Sequence, residues 1–122
     1  MKRILVVDDS ATVRQQVGLA LGQAGFEIVE AENGADGADA IARDATIAAV
    51  VCDVNMPKMN GIEMLQKVKS EALRPGLPVL MLTTEGNPKL IEQAKAAGAK
   101  GWIVKPFKAE LLVAAVKKLT AS

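Results

Sequence analysis

Apolar residues gather along this chain in short continuous runs, and between the runs they recur at helical spacing. Ile4-Leu5-Val6-Val7 is uninterrupted and is stopped by two acids, as expected of a strand buried on both faces. Ser10 then offers an N-cap hydroxyl to a helix carrying Val13, Val17, Ala20 and Leu21 on one face, and Gly25 ends it. Phe26 to Ala31 reads as a second strand, and Gly34 to Arg43 as a short Ala-rich helix with Ala38, Ile41 and Ala42 inward. Ile47 to Cys52 is the most hydrophobic run and ends at Asp53. Pro57 and Gly61 punctuate the loop that follows, and Ile62, Leu65 and Val68 give the next helical stripe. Leu77 to Leu82 is a fourth strand ending in Thr83-Thr84. Pro88 suits the first turn of a helix whose inner face carries Ile91, Ala94 and Ala97, closed by Gly98. Gly101 to Val104 is a short fifth strand, and a last helix runs from about Lys108 to Leu119 with Leu111, Leu112, Ala115, Val116 and Leu119 inward.

Strict alternation of strand and helix argues for an α/β fold, a doubly wound parallel sheet of five strands with helices on both faces. With 122 residues and no linker-like or repeated stretch, residues 1–122 are read as one domain. Half of the residues are hydrophobic but only 2% are aromatic, so Ala, Val, Leu, Ile and Met must fill the core. That argues against an aromatic platform for carbohydrate or nucleic acid. The net charge of +1 supplies no field for nucleic acid or an anionic membrane, and basic pairs such as Lys117–Lys118 read as solvated. The apolar run after Met1-Lys2-Arg3 is too short for a signal peptide or a membrane span, so a cytoplasmic protein is expected. The single cysteine, Cys52, excludes an internal disulfide; it lies in an apolar run and no histidine is present to activate it, so a buried inert thiol is expected.

The polar residues that end the strands carry the chemistry. The first strand ends in Asp8-Asp9, the third in Asp53, the fourth in Thr83-Thr84 and the fifth in Lys105. In an open parallel sheet, ligands bind beyond the carboxyl ends of the strands. Each residue also has a plainer reading. Asp8-Asp9 suits the start of a helix through its dipole, Lys105 suits a snorkelling surface lysine, and Thr83 suits an ordinary strand end. Asp53 is harder to place as a mere surface acid, because six uncharged residues precede it. Two unit charges 4 Å apart interact by about 4 kcal/mol at an effective dielectric near 20, so three adjoining carboxylates call for protons or a cation. All-oxygen donors favour Mg2+ or Mn2+, and with no histidine a conventional zinc site is excluded. A carboxylate nucleophile, a divalent ion, a lysine and a hydroxyl are the parts of a phosphoryl-acceptor site. No nucleotide-binding glycine motif follows any strand, so the phosphoryl group must come from a small molecule or another protein.

Four segments, Val6-Val7-Asp8-Asp9-Ser10, Asp53 to Gly61, Leu82-Thr83-Thr84-Glu85 and Lys105-Pro106-Phe107, make the whole chain resemble the receiver domain of bacterial response regulators, nearest to the single-domain chemotaxis (CheY-like) type. The resemblance implies a flavodoxin-like strand order of 2-1-3-4-5. It implies that Asp53 accepts phosphate from a histidine kinase, that Asp9 and Asp53 ligate Mg2+ by side chains and Asn55 by its main-chain carbonyl, and that Asp8 acts largely through bound water. Lys105 and Thr83 would contact the phosphoryl group, and the Lys105–Pro106 bond would be cis. Asn55 and Glu85 would tune dephosphorylation.

Trp102 takes the place of an aromatic switch residue that moves with Thr83; read locally, it is the large core anchor of the fifth strand. The chain would be a switch and not an enzyme beyond its own phosphorylation and dephosphorylation. It is expected to be a monomer without membrane insertion, read by a downstream effector such as a flagellar motor switch or a phosphatase. A phosphorelay intermediate, an aspartyl-phosphate phosphohydrolase and a flavin carrier are the competing readings. The second lacks an aspartate two residues after Asp53, where Asn55 stands, and the third would set three acids against the cofactor's phosphate.

Overall fold

The computed structural model describes residues 2–54, 60–71, 76–83 and 88–121. In chain order the elements are β1 (Arg3–Val7), α1 (Ala11–Gln23), β2 (Glu27–Ala31), α2 (Gly34–Arg43), β3 (Ile47–Asp53), α3 (Gly61–Ser70), β4 (Val79–Thr83), α4 (Pro88–Ala96), β5 (Gly101–Val104) and α5 (Ala109–Thr120). The strands form one parallel sheet in the order β2-β1-β3-β4-β5, as expected.

The period of two along each strand divides the core into two layers. Leu5, Val7, Val50, Cys52, Val79 and Met81 face α2, α3 and α4, where Ala38, Ile41, Met64, Leu65, Val68 and Ala94 close over them. Ile4, Val6, Ala49, Val51, Leu80 and Leu82 face α1 and α5, covered by Val17, Leu21, Leu112 and Val116. Ile4 to Val7 are fully buried, as an uninterrupted apolar run on a central strand requires. The edge strands differ: in β2 Glu27 and Glu30 are exposed, Ile28 and Val29 half-buried and only Ala31 buried, and β5 is half-buried with Val104 exposed.

Side chains secure the helix starts. Ser10 Oγ accepts from the Val13 N–H, Asn33 Oδ1 accepts from the Asp36 N–H, and Asn60 and Glu63 form a reciprocal capping box on α3.

Four sequence expectations need correction. β4 starts at Val79 instead of Leu77: Pro78 has no N–H to give, although its carbonyl accepts from Val50. Ala42 is exposed; the core-facing positions of α2 are Gly37, Ala38 and Ile41, and Ala42 turns past them. Leu111 is 59% exposed, because Leu112 and Val116 already define the buried stripe of α5 and Leu111 projects to its side. Gly61, read as loop punctuation, is the first residue of α3.

Two glycines in helices sit in opposite surroundings. A Cβ on Gly22 would meet nothing within 4 Å, so Gly22→Ala is expected to stabilise the fold by about 0.5–1 kcal/mol by removing backbone entropy from the unfolded chain. A Cβ on Gly61 would lie 2.3 Å from the Asp53 carbonyl oxygen and 2.7 Å from Met81 Cε. Gly61→Ala is expected to destabilise by about 1–3 kcal/mol; urea midpoints of the two variants should move in opposite directions.

The far end of β1 supplies a pH probe. The Thr46 hydroxyl and the Arg3 guanidinium both donate to Asp44 and hold its carboxyl at about 2, below the ordinary 3.8. A depressed carboxyl contributes its stability above 3.8 and loses it as pH falls through about 2. In Thr46→Val the Asp44 carboxyl resonance should titrate at higher pH than in the parent; an unmoved titration would contradict the Thr46 assignment.

Candidate functional site

Parallel pairing brings the strand ends together. Val7 pairs with Cys52, so Asp8 and Asp53 emerge side by side from β1 and β3. Thr83 pairs with Val104, and the Lys105 N–H donates to the Thr83 carbonyl at 2.7 Å, which sets Lys105 at the same sheet edge. The carboxylate oxygens of Asp8, Asp9 and Asp53 lie within 4.8 Å of one another. Asp8 and Asp53 are 1% and 4% exposed, whereas Asp9 faces solvent.

Lys105 bridges the two buried acids. Its Nζ donates to Asp8 Oδ2 at 3.0 Å and lies 3.3 Å from Asp53 Oδ1. With a side chain 15% exposed, it is an ion-pair partner and not a snorkelling surface lysine. Burial works against its charge, but the Asp8 hydrogen bond and the Asp53 and Asp8 charges outweigh burial and raise its pKa above 10.5. A raised amine keeps its stabilising charge below its unfolded value and loses it only as pH rises through the folded one. Lys105 is therefore an ammonium throughout the neutral range.

Asp8 is held by protein partners at several points. Its N–H donates to the Ala31 carbonyl at 3.1 Å, its Oδ1 accepts from the Ser10 N–H at 2.9 Å, and its main-chain oxygen accepts from Arg14 at 2.6 Å. The Ser10 and Arg14 contacts were not anticipated from sequence; spacing offered a signal for Ser10 as a cap, but none for Arg14. Beneath the site, Cys52 is fully buried and donates to the Asp53 carbonyl at 3.3 Å. Burial pushes its thiol pKa up and the Asp53 and Asp8 charges add to this, so the inert-thiol expectation agrees with its surroundings.

Thr83 is 2% exposed and shares the α4 side of the sheet with Trp102, in line with the pairing of Met81 with Trp102. Both line one small cavity with Val54, Met81, Leu90, Ile91 and Ala94; it has room for about 10 Å³ of water-sized volume. Trp102 is half-buried, and Lys95 on α4 stands 4.5 Å from its ring centroid, a cation–π contact. Asp8, Asp9, Asp53, Thr83 and Lys105 thus meet at one edge, with Trp102 a neighbour of Thr83. Asn55 and Glu85 lie outside the described residues.

The donor set fits a hard divalent ion: three carboxylates converge, Asp9 is open to solvent, and the donors are all oxygen. The Lys105–Pro106 peptide is cis, as the resemblance implied. No helix among the described residues is long and apolar enough to cross a membrane.

Comparison with known proteins agrees with this geometry. Residues 4–117 match the model of the response regulator receiver domain. The chain is 37% identical over 111 residues to a chemotaxis protein CheY homolog of Campylobacter jejuni, covering 90% of this chain and 85% of that one. It is 37% identical to chemotaxis protein CheY1 of Helicobacter pylori, with 90% of each chain covered. The structure superposes on chemotaxis protein CheY4 of Vibrio cholerae with a TM-score of 0.91 at 37% identity, covering 98% of both chains. A putative response regulator from Chloroflexus aurantiacus gives 0.92 at 33% identity, covering 99% of this chain and 98% of that one. The acidic edge, the buried lysine and the sheet order are therefore those of a two-component signalling protein, and the chain belongs to the response regulator receiver domain family.

Proposed function

We propose that this protein is a phosphorylation-operated switch in which Asp53 accepts a phosphoryl group from a phosphohistidine on a histidine kinase. The observation that carries the reading is the Asp8–Lys105–Asp53 arrangement, an ammonium held between two buried carboxylates beside a solvent-open third acid. A carboxylate oxygen of Asp53 attacks phosphorus, the P–N bond breaks, and the histidine nitrogen leaves with its electron pair. Asp9 and Asp53 would hold Mg2+, or Mn2+ in its place, by their side chains, with Asn55 giving its main-chain carbonyl and Asp8 acting through water. The cation, when bound, offsets charge on the transferring oxygens. Lys105 supplies a second positive charge, and the Thr83 hydroxyl donates to a phosphoryl oxygen.

Phosphorylation adds about −1.5 to −2 charge at neutral pH, which draws Lys105 and Thr83 inward. Because Thr83 and Trp102 border the same small cavity, a moved Thr83 changes the packing beneath the indole, and α4, β5 and α5 shift between two pre-existing arrangements. A downstream protein reads that face, in chemotaxis a flagellar motor switch or a phosphatase. The relatives named chemotaxis proteins favour this output over a relay to a second histidine protein. Asn55 and Glu85 set the phosphoryl lifetime.

With labelled kinase or acetyl phosphate as donor, Asp53→Asn should take up no phosphate, and chelation of Mg2+ should stop uptake by the parent. Unaltered uptake by Asp53→Asn would defeat the assignment. Lys105→Gln should slow uptake on the order of 10²-fold, the cost of losing a charge aimed at the reacting oxygens.

Trp102 emission should respond saturably to Mg2+ with beryllofluoride, a phosphoryl mimic, and the response should vanish in Asp53→Ala. Lys95→Ala should change the resting emission, since it removes the cation over the ring.

A further inference from the structure

Arg14, in the first turn of α1, makes two contacts that the phosphoryl chemistry does not use. Its Nη1 donates to the main-chain oxygen of Asp8 at 2.6 Å, and its Nε donates to Glu30 Oε1 at 3.1 Å. The Arg14 side chain is 13% exposed, while Glu30 on β2 is 55% exposed.

The carbonyl that Arg14 holds belongs to the planar peptide group joining Asp8 to Asp9. Asp8 is already fixed at its N–H by Ala31 and at its carboxylate by Ser10 and Lys105. The remaining freedom lies in that next peptide plane, and its tilt decides where the Asp9 side chain points. Two buried acids within 4.8 Å repel the exposed Asp9 carboxylate toward solvent. A charge-assisted hydrogen bond to the peptide oxygen opposes that rotation, and Glu30 keeps the guanidinium aimed.

We propose that Arg14 is a positioning residue for the cation. It clamps the Asp8–Asp9 peptide so that the Asp9 carboxylate stays with those of Asp8 and Asp53, and Glu30 holds the clamp from the neighbouring strand. This rests on the reading of the acidic edge as a cation site.

The test uses Mn2+ alone, with binding followed by electron paramagnetic resonance on the full chain, without any phosphodonor. Arg14→Ala should weaken Mn2+ binding about tenfold or more, as loss of a partner behind a metal ligand does. Arg14→Lys should recover part of the loss, since an ammonium can still donate to the Asp8 carbonyl. Arg3→Ala is the control for a merely structural effect: Arg3 lies at the other end of β1 and pairs with Glu27 and Asp44. Its affinity should stay within about twofold of the parent, even where thermal stability falls as far as in Arg14→Ala.

Parental affinity in Arg14→Ala would overturn the clamp and leave the phosphorylation reading standing. An equal loss in Arg3→Ala would also overturn it, since the effect would then be global. A parent protein that binds no Mn2+ would overturn both. Should Arg14→Ala fail to fold, Glu30→Lys at its exposed position sets a like charge against Arg14, and unchanged affinity there would overturn the proposal.

Discussion

Like charge gathered at one sheet edge is the constraint on which this molecule depends. Asp8 and Asp53 leave a low-dielectric core as neighbours, and Asp9 adds a third carboxylate beside them. Burying carboxylates is costly unless each is paired and hydrogen-bonded. Lys105 answers most of that cost by reaching from the far end of the chain to both buried acids. Main-chain donors and Arg14 fix Asp8 on its other sides. The remaining anionic character, open to solvent at Asp9, is what suits the site to a hard cation.

The parallel sheet makes this concentration possible. All five strands run the same way, so the carboxyl ends of β1, β3, β4 and β5 share one edge while every crossover helix returns over a face. The same geometry makes the core nearly aliphatic: Ile, Val, Leu, Met and Ala interdigitate in two layers with little aromatic mass. Close packing extends to the site itself. α3 begins against the Asp53 carbonyl, with space at Gly61 for a hydrogen and not for a methyl group. The backbone beneath Asp53 is thereby set by the start of the following helix as well as by its own strand.

Thr83 joins two neighbourhoods on which the proposed switch depends. The threonine borders the acidic edge through its strand and the Trp102 cavity through its side of the sheet. The cavity is too small to admit an indole without rearrangement of Leu90, Ile91 or Ala94. Lys95 adds a contact on the ring from α4. Under the proposed switch, motion of Trp102 would therefore require α4 to move with it.

The strand-ending residues were legible in sequence, because a buried parallel strand needs an unbroken apolar run and the first polar residue after it must lie at the edge. Period and local chemistry likewise determined the helices: Ser10 marks a start through its cap hydrogen bond and Pro88 through its fixed φ. Exposure along a helix flank was not legible at Ala42 and Leu111, since it depends on where the neighbouring element stops. Lys105 at a strand end could be read as a charge that pairs with carboxylates, but that it bridges two particular acids, each more than 50 residues away in sequence, could not. Arg14 and Lys95 gave no signal, because a single cation on a helix has many places to point. Sequence by itself determined the elements, their order and the chemistry available at their ends; the tertiary structure decided which charges meet, because distance between carboxylate and ammonium is set by strand register and helix packing, not by spacing along the chain.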